Sequence, residues 1–211
     1  MERYSIIHSK FPREFVLLQG TGCKWKKCTF CDYHNDISEN PFEINKYVLS
    51  QITGQYGVLD IINSGSGLEL DSNTINLINY MYRNNLFSFA KQFSPAKVKF
   101  RCGIETFDSN LRNKWNKGIS SNVTVGEIAQ YFNGVCLLCG TKGESKERII
   151  KDIILAKQHF EYISINLFNE NSTAIAPDKE LQQWFISELY PKLKLDSQIE
   201  ILINNNDLGV G

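Results

Sequence analysis

The sequence predicts an α/β fold, arranged as a partial, open β/α barrel of the TIM type with about six mostly parallel strands. Short apolar runs typical of strands alternate along the chain with stretches whose apolar residues recur at helical spacing. Polar or glycine-rich stretches follow the strands, and the carboxyl ends of the strands form the active-site face of a β/α barrel. At 211 residues the chain is expected to form one domain, 1–211.

The first half of the chain supplies two strands and two helices. Ile44, Val48 and Ile52 recur at spacing four and predict a helix, while Asp71 or Ser72 provides the N-cap of the next one. The predicted elements, in order, are an irregular lead-in (1–14), a strand (15–18), a helix (42–51), a strand (58–62) and a helix (71–82).

The segment 86–96 allows two interpretations. Residues 86–90 have the composition of a strand, but only about six residues separate them from a second strand at 98–104. A parallel crossover needs a dozen or more residues. Either the barrel lacks one crossover helix here, or residues 86–93 are not a barrel strand.

The second half continues the alternation. Ile149, Ile153, Ala156 and Phe160 form one apolar stripe and predict the clearest helix of the chain. The predicted elements are helices at 109–117 and 125–132, a strand (135–138), a helix (145–160), a strand (162–167), a helix that begins at 177–178 and stops at Pro191, and a last strand (199–203).

Charge and hydropathy exclude several classes of function. The chain has 23 basic and 23 acidic residues, so no strong field favours nucleic acid, and we expect a small, mostly neutral substrate. No apolar run approaches the length of a membrane span, and residues 1–4 do not resemble a signal peptide. Six cysteines without a secretory segment fit a reducing cytoplasm.

Three cysteines, Cys23, Cys28 and Cys31, lie in the loop that follows the first predicted strand. They cannot all pair in disulfides among themselves, and the neighbouring lysines Lys24 and Lys26 favour the thiolate form. Three thiolates on one loop can hold three corners of a cubic iron–sulfur cluster and leave the fourth iron open. The loop is therefore predicted to bind a metal cluster.

Zinc is the alternative ligand of this loop, and it requires a fourth protein donor. The candidates are His34 and the pair Cys136 and Cys139. That pair lies in an apolar run that predicts a strand, where positions three apart face opposite sides. Cys136 and Cys139 are therefore interpreted as small core residues.

The pattern Cys23-x4-Cys28-x2-Cys31 after a first strand resembles the cluster loop of radical S-adenosylmethionine (SAM) enzymes. The usual spacing in that family is three residues and then two, so the first gap here is longer by one. Phe30 matches the family's aromatic residue beside the adenine of SAM. The resemblance covers roughly residues 15–170. It implies the radical SAM type of barrel, a [4Fe–4S] cluster and SAM.

The later loops match the same family at four places. Ser64, Gly65 and Ser66 stand where the family has a Gly-Gly-Glu-like motif, with the acidic residue displaced to Glu69, and Glu105 lies in a Gly-Ile-Glu motif. Gly140 opens the glycine motif that supports adenine in the family, and Asn166 matches a polar SAM contact. The resemblance thus implies these SAM-binding residues: Phe30, Tyr33, Ser64, Gly65, Ser66, Glu105, Gly140 and Asn166.

Within this family, the size, the four-residue gap and the ending 201–211 are similar to short bacterial proteins of the queuine lyase group. That resemblance implies cleavage of SAM to a 5′-deoxyadenosyl radical and of a carbon–nitrogen bond in queuine. The product would be 7-aminomethyl-7-deazaguanine (preQ1), in salvage of the tRNA modification queuosine. A flavodoxin or ferredoxin-type protein would donate the electron.

A deazaguanine presents N–H donors, which a carboxylate or amide oxygen can accept. The candidate substrate ligands are Asp36, Glu69, Asn204 and Asp207. Asp207 is equally interpretable as a turn residue.

Two other functions remain open at this point: a radical SAM enzyme acting on another small molecule or a peptide, and a non-catalytic zinc or iron–sulfur module. The chain has no further ferredoxin-like cysteine set, which an activase would be expected to carry.

Overall fold

The computed structural model describes residues 1–8, 10–83 and 99–210, with the side chains of 82 and 83 excepted. The chain divides into two compact units, which are described separately. The first contains the described residues of 1–26, 32–97 and 205–211, and the second those of 27–31 and 98–204. That the whole chain is one domain stays a prediction.

The first unit is built on a three-stranded sheet of order β1-β2-β3. Strand β1 (Tyr4–Ile7) pairs antiparallel with β2 (Arg13–Leu18), and β2 pairs parallel with β3 (Leu59–Asn63). The helices of this unit are α1 (Pro41–Ser50) and α2 (Ser72–Arg83). Every residue of β2 is buried, because apolar clusters cover both faces of the sheet.

Residues 1–14 were expected to be irregular, and this prediction is wrong for β1 and for the start of β2. The predicted strands at 15–18 and 58–62 and the helices at 42–51 and 71–82 are confirmed within a few residues. The buried carboxylate of Glu14 in β2 accepts bonds from the hydroxyl of Tyr4 (2.8 Å) in β1 and from the amides of Thr53 (2.7 Å) and Gly54 (2.6 Å). These donors offset the cost of burying a charge.

The second unit contains a parallel four-stranded sheet of order β4-β5-β6-β7. Its core is the apolar face of this sheet against α5, with Ile153, Ile163 and Phe185 among its buried residues. The elements are β4 (Arg101–Glu105), α3 (Ser109–Lys114), α4 (Val125–Tyr131), β5 (Gly134–Cys139), α5 (Lys146–His159), β6 (Tyr162–Leu167), α6 (Lys179–Trp184), α7 (Tyr190–Leu193) and β7 (Ile199–Leu202).

The helix predicted to stop at Pro191 instead continues past it. A π-helical segment (Phe185–Leu189) joins α6 to α7, and the amide of Tyr190 donates to the carbonyl of Phe185. Pro191 lies in the first turn of α7, a position at which proline is tolerated. The prediction of a stop at Pro191 is therefore wrong.

The other helices and strands predicted for this half are confirmed, and the ambiguous segment 86–96 lies outside the described residues. Parallel pairing in both sheets confirms the α/β class. Five polar stretches follow the carboxyl ends of β3 to β7, as the alternation predicted. No helix in the described parts of the chain is both long and apolar enough to cross a membrane.

Candidate active site

Within the first unit, the loop after β3 packs directly against Cys23. A Cβ atom added to Gly65 would lie 3.2 Å from the Cα of Cys23 and 2.9 Å from Oε2 of Glu69. At these distances a methyl group would force the Glu69 side chain or the Cys23 backbone to shift. Gly65 therefore permits the close approach of two backbone segments, one of which carries the first predicted cluster ligand.

Glu69 joins the same two segments by hydrogen bonds. Ser66 caps the 3₁₀ helix Gly67–Glu69, and Oε2 of Glu69 accepts the amide hydrogen of Ser66 at 3.2 Å. The other carboxylate oxygen, Oε1, accepts the amide hydrogen of Lys24 at 3.1 Å. Both oxygens of this predicted substrate ligand are thus engaged by backbone amides beside Cys23. The pattern Ser66-x-x-Glu69 is a capping-box signature that the sequence alone could have revealed.

Asp36 forms a second polar network in this unit. Its carboxylate pairs with Arg3 and accepts hydrogen bonds from Ser64 and from Nε2 of Gln19 (2.8 Å). Burial alone would raise the pKa of Asp36, but the bonds from Arg3 and Ser64 and the charge of Arg3 hold it below its usual value. Asp36 is therefore ionised, and its charge is compensated inside the protein.

Within the second unit, the segment 27–31 is fixed by the C-terminal end of α3. The amide of Thr29 donates to the carbonyl of Trp115 at 3.0 Å, and Nδ2 of Asn171 donates to the carbonyl of Phe30 at 2.9 Å. The ring of Phe30 meets the buried ring of Trp115 edge-on, with centroids 5.6 Å apart. One backbone–backbone hydrogen bond, one bond from a side chain and one aromatic contact thus hold the residues between Cys28 and Cys31.

Glu105 forms an ion pair that the sequence did not reveal. Nζ of Lys117 lies 2.8 Å from Oε1 of Glu105 and 5.4 Å from the centroid of the Phe30 ring. Glu105 adopts a φ of +67° at an irregularity in the pairing of β4. Its side chain lies over Gly103, and a Cβ added to Gly103 would lie 3.0 Å from Oε1 of Glu105. A left-handed non-glycine residue at a bulge is typical of functional sites.

The Lys117 side chain is largely buried, with 18% of its surface exposed. Burial alone would lower its pKa, but the charge and hydrogen bond of Glu105, with smaller contributions from the thiols of Cys28 and Cys102, raise the pKa of Lys117 above its usual value. Lys117 is therefore a permanent cation between Glu105 and Phe30, within electrostatic range of Cys28.

Gly140 directly follows β5 and adopts a left-handed backbone conformation, with a φ of +89°. A Cβ there would lie 2.6 Å from Cγ of Gln182, whose amide nitrogen donates to the Gly140 carbonyl at 3.1 Å. Only glycine fits this turn. Burial raises the pKa of the neighbouring Glu144 to about 7, although hydrogen bonds from Thr141 lower it in part. Asn166, in β6, is half-buried, and its side-chain oxygen accepts a hydrogen bond from Oγ of Ser164 at 3.3 Å.

The remaining predicted residues lie at the surface of their units. Tyr33 is 57% exposed in the 3₁₀ helix Tyr33–Asn35. Asn204 and Asp207, which follow β7, are exposed as well, and Asp207 lies in a turn.

The six cysteines are all described, and none forms a disulfide. Cys136 is half-buried and Cys139 is buried in β5, where burial raises the pKa of the Cys139 thiol well above its usual value. A thiol that resists ionisation is a poor metal ligand, which supports the interpretation of Cys139 as a core residue.

Cys23 belongs to the first unit, and Cys28 and Cys31 to the second. Among the described residues, no three His, Cys, Asp or Glu side chains are grouped so that they could hold a metal ion. The donor chemistry nevertheless fits an iron–sulfur cluster, because all three thiols are half-buried and Lys117 lies within electrostatic range of Cys28. The assignment of all three cysteines as ligands stays a prediction.

Comparison with known proteins gives one informative result. No family model and no curated protein matches the chain. A solved structure described as queuine lyase from Clostridium spiroforme bound to SAM and queuine matches 100% of this chain and 99% of its own. The two sequences are 39% identical, and the structures superpose with a TM-score of 0.88.

The chain belongs to the queuine lyase family. Membership in the queuine lyase family confirms the resemblance to radical SAM enzymes and shows that the protein is an enzyme of that class. Enzymes of the radical SAM class carry a [4Fe–4S] cluster and use SAM. Because the match spans the whole chain, it includes every stretch discussed above, from the cysteine loop to the turn after β7.

Proposed function

We propose that this protein is a radical SAM queuine lyase. It binds SAM and queuine and cleaves the carbon–nitrogen bond between the aminomethyl nitrogen of queuine and the substituent that this nitrogen carries. The products are 7-aminomethyl-7-deazaguanine and the fragment derived from that substituent. The observation that carries this proposal is the 39% identity over the full chain to a queuine lyase bound to both molecules.

The fold of the proposed enzyme is a partial, open β/α barrel of the radical SAM type that forms one domain. The parallel strands and the polar loops at their carboxyl ends support this arrangement. A neutral chain suits a free base better than tRNA. The electron comes from a flavodoxin or ferredoxin-type protein, and the reaction takes place in the cytoplasm.

Cys23, Cys28 and Cys31 would hold the cluster. The reduced cluster would supply the electron for reductive cleavage of SAM, the step that starts radical chemistry on the substrate. The protein places the ligands for this chemistry and excludes water. Gly65 lets the loop after β3 approach Cys23, and Glu69 fixes the neighbouring amide of Lys24.

In the proposed SAM site, some residues contact SAM and others hold the loops that surround it. Ser64 and Ser66 are engaged with Asp36 and Glu69, so we assign them to construction of the loop. The residues that line the site in this proposal are Phe30, Tyr33, Gly65, Glu105, Gly140 and Asn166.

For the substrate we assign Asn204 and Asp207, since both are exposed at the carboxyl end of β7. A carboxylate and an amide offer the oxygen acceptors that the N–H groups of a deazaguanine need. Asp36 and Glu69 are assigned to the protein framework instead, because internal donors already satisfy their carboxylates.

The test uses protein reconstituted anaerobically with iron and sulfide. We expect iron and sulfide in the ratio of a [4Fe–4S] cluster, SAM cleavage that queuine stimulates, and loss of the cluster in Cys28→Ala but not in Cys139→Ala. One equivalent of zinc without sulfide would refute the enzymatic proposal. Cluster retention in Cys28→Ala would refute the ligand assignment alone.

A further inference from the structure

Lys117 has no role in the proposed function, yet it is a largely buried cation beside the cysteine loop. Its ammonium group contacts Glu105 at 2.8 Å and the face of Phe30 at 5.4 Å. A buried charge is costly unless its surroundings compensate it. The protein maintains this charge with an ion pair and a cation–π contact.

Three features of the backbone place Lys117. The chain reverses after α3 because Asn116 adopts a left-handed φ of +56°, and the amide of Lys117 donates to the carbonyl of Arg112 at 3.0 Å. Glu105 adopts its own left-handed conformation to reach the ammonium group, and Gly103 leaves the space for both side chains. Such a costly arrangement fixes the position of one cation.

The segment that Lys117 faces is held by other residues. Trp115 and Asn171 bind the backbone of Thr29 and Phe30 without using the Lys117 side chain. The charge of Lys117 can therefore change while the main attachments of the segment Lys27–Cys31 remain. This separation allows an electrostatic role to be tested apart from a structural one.

We propose that Lys117 is a positioning residue whose positive charge raises the reduction potential of the cluster held by Cys28 and Cys31. Reduction adds one negative charge to the cluster, and a nearby cation in a medium of low dielectric constant stabilises that added charge. Glu105 offsets part of the effect and fixes the cation in place. The inference rests on the proposed function, because it requires the cluster.

The experiment compares Lys117→Met with Lys117→Arg and with Lys151→Met, which removes an exposed lysine charge from α5. Each reconstituted protein is titrated with dithionite or mediators, and the midpoint potential is read from the cluster absorbance. We expect reduction of Lys117→Met to become about tenfold less favourable, which is about 59 mV for one electron. Lys117→Arg and Lys151→Met should stay near the wild-type value.

Two further readouts separate electrostatics from structure. We expect Lys117→Met to keep the wild-type iron content, and amide hydrogen exchange of residues 27–31 in the cluster-free protein to change little, since Thr29 still donates to Trp115. An unchanged potential in Lys117→Met would overturn the inference. Loss of iron together with fast exchange at 27–31 would also overturn it, because Lys117 would then act by holding the segment.

The proposed function is tested independently by the wild-type protein. If wild-type protein assembles no iron–sulfur cluster, the proposed function fails and takes this inference with it. If the wild type assembles a cluster and cleaves SAM, the result for Lys117→Met decides the inference alone.

Discussion

The substitution Gly65→Ala adds one methyl group between the loop after β3 and Cys23. The new Cβ would lie 2.9 Å from Oε2 of Glu69 and 3.2 Å from the Cα of Cys23. Glu69 can rotate away only by releasing the amides of Ser66 and Lys24, and Cys23 can retreat only with its backbone. Overpacking of this kind costs about 1–3 kcal/mol. We therefore expect Gly65→Ala to displace the first cysteine and to weaken the assembly of the cluster.

Gly67→Ala is the matched control, because it lies two residues away and an added Cβ meets nothing within 4 Å. The assay measures iron and sulfide content after anaerobic reconstitution, together with the thermal unfolding midpoint of the cluster-free protein. We expect Gly67→Ala to match the wild type, and Gly65→Ala to lose both stability and cluster. Equal cluster content in the two variants would refute the argument that the loop after β3 positions Cys23.

Three further predictions concern the glycine turn after β5, the buried acid beside it and the substrate site. Gly140→Ala should destabilise the protein by about 2 kcal/mol or more, because it places an alanine with a left-handed backbone conformation against Gln182. Gly126→Ala, in α4, is the control and should be neutral or slightly stabilising; both are measured by urea unfolding. The pKa of Glu144 in the native protein, about 7, exceeds its usual 4.5, so stability should fall as pH rises from 4.5 to 7. At 1.36 kcal/mol per pH unit the fall is at most about 3.4 kcal/mol, and Glu144→Gln should remove it. Asp207→Ala should weaken the binding of queuine in calorimetry while slow uncoupled SAM cleavage continues.

Each of these predictions has a contradicting outcome. Equal unfolding free energies for the alanine variants at positions 140 and 126 would show that the turn tolerates a side chain. A wild-type stability profile that is flat between pH 4.5 and 7 would show that Glu144 titrates normally. Unchanged affinity for queuine in Asp207→Ala would remove that residue from the site.

The local elements were predictable because their signals are local. The stripe from Ile149 to Phe160 and the apolar runs of β5 and β6 each require only neighbouring residues to recognise. Strand β1 was missed because four residues carry little periodicity and become a strand only by pairing with β2. The continuation of the helix past Pro191 was not predicted, because it follows a π-helical segment, Phe185–Leu189, which has no simple sequence signature.

The candidate site likewise combines local features, which the sequence can predict, with long-range contacts, which it cannot. The cysteine loop is a contiguous sequence pattern, and the Ser66–Glu69 capping box is another local pattern of four residues. The pair between Glu105 and Lys117 depends on a strand irregularity and on a turn twelve residues later, so spacing alone does not reveal it. The engagement of Asp36 by Arg3 joins residues 33 positions apart. Such contacts between distant positions of the chain cannot be recognised from local spacing.

The most direct test of the proposed activity is mass spectrometry of the products from reduced, reconstituted protein incubated with SAM and queuine. The account predicts that 5′-deoxyadenosine and 7-aminomethyl-7-deazaguanine form together, and that omission of queuine suppresses both. Cleavage of SAM at the same rate with and without queuine, and no 7-aminomethyl-7-deazaguanine, would contradict the proposed substrate and leave only the radical SAM class.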